Sequence, residues 1–164
     1  TWPELAAWMI SFLITGMYWV WHRDLFNQMR RVNRVVVWLN LLFLLPLALV
    51  PFAASVLGEY SDNPIGLHVY GAILIVTALA RWLLYAYVMR RPELLYETPT
   101  RSHRRVGGAL AAAPIPVYVV AMLVAPLSTS LSLALYLLLP SLYLLLILAL
   151  RRHPRTSAEA QAYG

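Results

Sequence analysis

Residues 106–150 read VGGALAAAPIPVYVVAMLVAPLSTSLSLALYLLLPSLYLLLILAL, a stretch without one charged side chain. As a single α-helix it would be ~68 Å long, while the hydrocarbon core of a bilayer is filled by about 20 helical residues. The stretch therefore holds two crossings. The break between them is expected near Pro126-Leu127-Ser128-Thr129-Ser130, where a proline and small polar residues favour a turn. Working back toward the N-terminus, Leu5–Trp21 and Val35–Gly58 are uncharged, and Gly66–Met89 is interrupted only by Arg81. The spans are thus about 5–22, 35–57, 66–89, 106–126 and 131–150, and residues 1–164 form one transmembrane domain. The fold class is all-α, a polytopic bundle of transmembrane helices.

Composition leads to the same place. Of 164 residues, 61% are hydrophobic and 12% charged, against about 45–50% and 25% in soluble domains. A soluble protein of this size has no way to hide so much apolar surface. The sequence has no cysteine, which excludes disulfides, thiolate catalysis, Fe–S clusters and cysteine zinc sites. The net charge of +6 is not read as a nucleic-acid signal, because the basic residues, all arginines, flank apolar runs.

Those arginines set the topology. Arg23, Arg30, Arg31 and Arg34 follow the first span; Arg90, Arg91, Arg101, Arg104 and Arg105 lie between the third and fourth; Arg151, Arg152 and Arg155 follow the fifth. The other two connections hold none, the first of them carrying only Glu59 and Asp62. The arginine-bearing side is expected to be cytoplasmic, with the C-terminus inside. Aromatics sit at interface positions: Trp2, Trp8, Tyr60 and Tyr70 toward the outer side, Tyr18, Trp19 and Trp21 toward the inner. Five spans place Thr1 outside. The residues before the first span make no signal peptide, so a sixth helix upstream of Thr1 is expected, giving six in the intact subunit.

No catalytic signature is present: no phosphate-binding glycine loop, no H-E-x-x-H, no G-x-S-x-G and no dinucleotide fingerprint. The acids lie outside the spans, so no acidic proton relay is supported. His22, His103 and His153 fall on the inner side and His68 near the outer, which does not suit a haem held between facing helices. The chain is expected to be no enzyme, and no catalytic residue, metal ligand or cofactor is assigned.

Polar groups within the spans stand out. Asn40 lies six residues past Arg34, ~9 Å into the bilayer, where an amide needs partners. His22 closes the neighbouring span at a similar level. Interhelical hydrogen bonding is the plainer reading of both. Arg81 lies nine residues before Arg90, ~13 Å deep; it either snorkels to the headgroups or pairs inside the bundle, a candidate intramembrane ion pair. Thr15, Ser55 and Thr77 are expected to bond back to their own helices. Gly107/Ala111 and Gly108/Ala112 form small-xxx-small pairs suited to close packing. Pro46, Pro51, Pro114, Pro116 and Pro140 are expected to bend or break spans two, four and five.

Two segments carry a resemblance: Ser11-Phe12 … Tyr18-Trp19-Val20-Trp21-His22 … Phe26 in the first span, and Trp38-Leu39-Asn40-Leu41 … Pro51-Phe52 in the second. Over about residues 1–60 this order resembles the transmembrane protein 175 family of potassium channels in its prokaryotic single-repeat form. The remainder is similar mainly in hydropathy. The resemblance implies six helices per subunit, a homotetramer in the membrane of a bacterial cell, and a pore lined by each subunit's first helix. That helix carries a Phe-Ser-Asp motif and a bulky aliphatic constriction, neither of which this chain contains. The ion filter is therefore expected on the missing first helix. The resemblance also implies that Trp19, His22 and Asn40 support the pore helix without touching the ion.

The function expected is passive conduction of a cation, potassium-preferring, with the potassium ion as permeant and no other cofactor. Alternatives are a secondary transporter, weakly suggested by the kinked spans, and a non-conducting membrane scaffold subunit. The expected partners are further copies of the same chain and the lipid bilayer.

Overall fold

The structure is a computed structural model that describes residues 2–60, 64–138 and 142. Helices α1 (Trp2–Asn27), α2 (Arg34–Glu59) and α3 (Pro64–Met89) are each 26 residues long. At 1.5 Å per residue each reaches ~39 Å, enough to cross the hydrocarbon core. Helices α4 (Arg101–Ala112) and α5 (Pro114–Val124) meet at Ala113, and α6 covers Thr129–Leu138. Arg34–Glu59, Pro64–Met89 and the combined Arg101–Val124 are long and apolar enough to span a membrane. The chain is an all-α integral membrane protein. Most of the span expected over 131–150, the turn around Asp62 and the arginine-bearing tail lie outside the described residues.

The helix ends follow from local chemistry. Asn33 caps α2, its side-chain oxygen accepting from the Val36 amide at 2.9 Å, while its Nδ2 donates to the Tyr87 hydroxyl at 3.0 Å. Thr100 caps α4 by accepting from the His103 amide at 3.1 Å. With that cap, α4 starts at Arg101, over a turn before the expected start at Val106. Arginine is a good helix former, and a helix need not stop where the hydrocarbon does.

The prolines act differently from one another. Helix α2 runs unbroken through Pro46 and Pro51, so of the expected bend or break the break is absent there. Surrounding helices make the loss of one backbone bond tolerable in a membrane. Pro114 does interrupt the fourth span: Ala113 still donates to Ala109 at 2.8 Å, but α5 begins anew at Pro114. Pro116 sits within α5, and Pro140 is outside the described residues. Ser55 and Thr77 bond back to the carbonyls of Phe52 (2.8 Å) and Ile73 (2.7 Å). The buried Thr15 hydroxyl has no hydrogen-bond partner among the described residues, contrary to expectation.

Helix α3 is the centre of the bundle. It packs against α2, α4 and α5, and α1 packs against α2. Its buried stripe, Leu67, Tyr70, Leu74, Ala78, Arg81, Leu84 and Val88, repeats at helical spacing. Toward the α2–α3 turn the core holds Leu57, Leu67, Tyr70, Leu74, Val50, Tyr118 and Tyr136. Tyr136 on α6 donates to the Leu67 carbonyl at 3.1 Å, and Gly71 leaves the room that its ring occupies. Toward the opposite end the core holds Leu25, Val36, Leu84, Val88, Leu94 and Leu95.

There the connections 28–33 and 90–100 clasp each other. Arg30 donates its amide to Leu94 at 2.8 Å and Tyr96 to Gln28 at 3.1 Å, around a single bridge between Met29 and Leu95. Two arginine-bearing connections thus share one end of the bundle. Small residues bring α4 onto α3: a side chain at Gly107 would collide with Tyr85, whose hydroxyl donates to the His103 carbonyl at 3.3 Å.

Candidate functional site

Helices α1 and α2 form an antiparallel hairpin, so residues equally far from its arginine-rich end stand at one level. His22 comes five residues before the end of α1 and Asn40 six after the start of α2. The structure brings them into contact: His22 Nε2 and Asn40 Oδ1 are 2.7 Å apart. An amide oxygen can only accept, so at that distance the imidazole N–H donates to it. Phe26 and Phe43 stack on the imidazole at 4.4 and 5.9 Å between centroids, one from each helix. These contacts fix the ring plane and hold the polar pair half-buried.

Trp19 lies one turn along α1 from His22, its indole 5.0 Å from the imidazole. It is 58% exposed, on a stripe that also shows Leu5, Trp8, Phe12 and Val20. A cleft of about 450 Å³ opens here, lined by Gly16, Trp19, Val20, His22 and Arg23. Gly16 has nothing within 4 Å of where a Cβ would stand. The three residues singled out by the sequence therefore share one face of the hairpin: two bonded together and one presenting an aromatic surface.

Arg81 is elsewhere, inside the bundle and 8% exposed. Its guanidinium donates through Nη2 to the carbonyls of Ala111 (2.5 Å) and Leu110 (3.2 Å) on α4. Its Cζ lies 4.8 Å from the Trp21 ring centroid and 5.6 Å from that of Tyr18, within cation–π range. No carboxylate is among its contacts in the described residues. Of the two readings of Arg81, snorkelling does not hold, and the partners it finds inside the bundle are carbonyls and ring faces in place of a carboxylate. The reason is positional: Asp24, Glu59, Glu93 and Glu97 sit at helix ends or in connections, whereas Pro114 frees a carbonyl at the depth of Arg81. Proline has no N–H, so the Leu110 carbonyl four residues earlier has no intrahelical donor. Arg81 supplies one. Tyr18, Trp21 and Leu110 are functional neighbours that sequence reasoning did not find. The proline spacing marks the free carbonyl, but only the packing of α3 on α4 shows which cation reaches it.

No site of three or more metal-ligating side chains occurs among the described residues. With its carbonyl bonds and aromatic faces, the Arg81 cluster binds α1, α3 and α4 together. The His22–Asn40–Trp19 face instead offers polar and aromatic groups on the bundle surface, where another helix can seat.

Comparison with known proteins bears on that face. Residues 1–51 match the family described as the endosomal/lysosomal potassium channel TMEM175. A potassium channel of Streptomyces collinus is 34% identical over 135 residues, covering 77% of this chain and 66% of its own. A potassium channel of a Chryseobacterium species is 34% identical over 90 residues, covering 54% and 46%. The human endosomal/lysosomal proton channel TMEM175 is 24% identical over 102 residues, 62% of this chain and 20% of its own. The chain spans less than two thirds of the length of these curated relatives. No solved structure matches.

Proposed function

From its similarity to the TMEM175 family we propose that the chain is a member of that family and a subunit of an oligomeric, potassium-preferring cation channel. The observation that carries the reading is the hydrogen-bonded His22–Asn40 pair beside the exposed Trp19, inside the residues that match the family. This face holds a pore-lining helix in place. The imidazole and the amide keep free polar valences after bonding each other, and Trp19 gives the apolar wall against which a helix packs. None of the three residues touches the ion. Selectivity comes from a hydrophobic constriction on the pore helix itself, where partial dehydration favours the ion with the less costly hydration shell.

The assembly is a homotetramer in a bacterial plasma membrane, with the arginine-rich end and the C-terminus cytoplasmic. Permeation requires no cofactor and no catalytic group. The whole subunit, reconstituted in vesicles with an imposed potassium gradient, tests the proposal. Fast, passive flux that prefers potassium to sodium is expected. Saturable, coupled flux indicates a transporter and no flux a scaffold, and either refutes the reading.

A further inference from the structure

We infer that the cleft between the arginine-rich end of α3 and the first two turns of α4 binds the headgroup phosphate of an anionic phospholipid. The cleft has a volume of about 590 Å³ and is lined by Arg90 from the end of α3 and by Arg101, Arg104 and Arg105 from α4. The α4 residues follow the i, i+3, i+4 pattern, so one helix face aims three guanidinium groups at one space. Arginine's planar fork of donors matches phosphate oxygens.

The charges need an anion. Arg23 and Arg91 have carboxylate partners, Asp24 at 2.9 Å and Glu93 at 3.4 Å. Among the described residues, Arg90, Arg101, Arg104 and Arg105 have none, and no carboxylate lines the cleft. Arg101 and Arg105 repel across one helical turn. Arg101 and Arg104 also sit in the first turn of α4, the end whose dipole disfavours cations. A bound phosphate relieves both penalties at once.

The wall opposite decides between lipid and free phosphate. From the arginines the cleft continues along α3 past Met89 and Ala86 to Trp82. Trp82 lies eight residues before Arg90, ~12 Å toward the bilayer centre. An inorganic anion makes no use of an apolar slot leading into hydrocarbon, whereas a lipid's glycerol and acyl chains fill it. Gly107 against Tyr85, which lines the slot, and Arg81 against Leu110 and Ala111, just past Trp82, hold α3 onto α4, so the slot is built into the helix contact. Basic pockets between transmembrane helices at a membrane surface are suited to anionic headgroups. The site does not depend on what the subunit conducts.

The test is thermal unfolding of the whole purified subunit in neutral detergent, followed by tryptophan fluorescence. Phosphatidylglycerol, phosphatidylcholine or inorganic phosphate is added at matched concentration. Phosphatidylglycerol is expected to raise Tm by several degrees more than either of the others. The Arg101→Gln/Arg104→Gln/Arg105→Gln variant is expected to lose that difference, and Arg30→Gln/Arg31→Gln to keep it. Ala86→Trp blocks the slot with every arginine in place and is expected to lose it as well, which decides the matter if the triple variant does not fold. Equal stabilisation by phosphatidylcholine, or by inorganic phosphate alone, overturns the inference. So does phosphatidylglycerol-specific stabilisation that survives Ala86→Trp.

Discussion

Replacing Arg81 with methionine separates the worth of its charge from the worth of the carbonyl it serves. Arg81→Met keeps an unbranched apolar stem but removes the donors to Leu110 and Ala111 and the cation over Trp21 and Tyr18. Hydrogen bonds from charged donors contribute about 1.5–3 kcal/mol each, and a desolvated cation–π contact up to about 2 kcal/mol. Against this stands the cost of burying the guanidinium, several kcal/mol, which the variant no longer bears. These terms largely cancel. The remainder is the carbonyls of Leu110 and Ala111 left without the Arg81 donor, and to the first of them Pro114 offers no N–H; a buried unsatisfied acceptor costs about 1–3 kcal/mol. Arg81→Met should therefore destabilise by that amount. Pro114→Ala restores an N–H at the position that can serve Leu110, so in that background Arg81→Met should cost about 1 kcal/mol less. Denaturation of the four variants in mixed micelles measures the coupling. An Arg81→Met penalty that is the same in both backgrounds refutes the account of Arg81 as the donor that replaces a missing helix bond.

Other expectations follow from the same contacts. Asn40→Leu and His22→Phe should each destabilise, with a coupling energy of about 0.6–1.7 kcal/mol in a double-mutant cycle; in reconstituted channels Asn40→Leu should reduce flux while leaving potassium preference nearly unchanged, and lost preference with normal assembly would place the pair in the filter. Gly107→Ala should cost about 1–3 kcal/mol because its added Cβ meets the Tyr85 hydroxyl, whereas Gly108→Ala, whose Cβ has nothing nearer than a ring edge at 4.0 Å, should be neutral or gain up to about 1 kcal/mol in helix propensity; a larger loss at Gly108 contradicts the packing. The chain has no cysteine, so Asp62→Cys and Arg30→Cys serve as single reporters in intact cells: an impermeant thiol reagent should label the first and not the second, and the reverse pattern overturns the topology.

Helices and their depths were legible because hydrophobic runs and arginine positions carry absolute information in a membrane. Counting residues from Arg34 put Asn40 at a depth, and counting along the antiparallel neighbour put His22 near the same level; their 2.7 Å contact is within reach of that arithmetic. What depth does not give is azimuth. It locates Arg81 well below the headgroups but says nothing of which helix its guanidinium faces, so snorkelling and an ion pair both stay open where the structure has carbonyls and rings. The start of α4 was missed for another reason. Five residues holding three arginines look like a connection in hydropathy, yet Thr100 provides the cap and arginine sustains the helix. Prolines differ one by one: Pro46 and Pro51 are accommodated within α2 without a break, while Pro114 does break its span and the bond lost there is answered by a side chain from α3.

Arg81 and the His22–Asn40 pair differ in how far one subunit encloses them, although the buried Arg81 Nε keeps no hydrogen-bond partner among the described residues, and this bears on what each is for. Arg81 is enclosed, with carbonyls of α4 and rings of α1 around it, so its partners are fixed by the fold of one subunit. The His22–Asn40 pair is half-buried and borders a cleft beside an exposed indole, so part of its bonding capacity faces outward. Exposed polar valences at membrane depth are costly unless another polypeptide or water meets them. Substitutions at Arg81 should therefore register in the stability of the isolated subunit. Those at His22 and Asn40 should register more strongly in assembly and conduction, where the outward-facing groups find their partner.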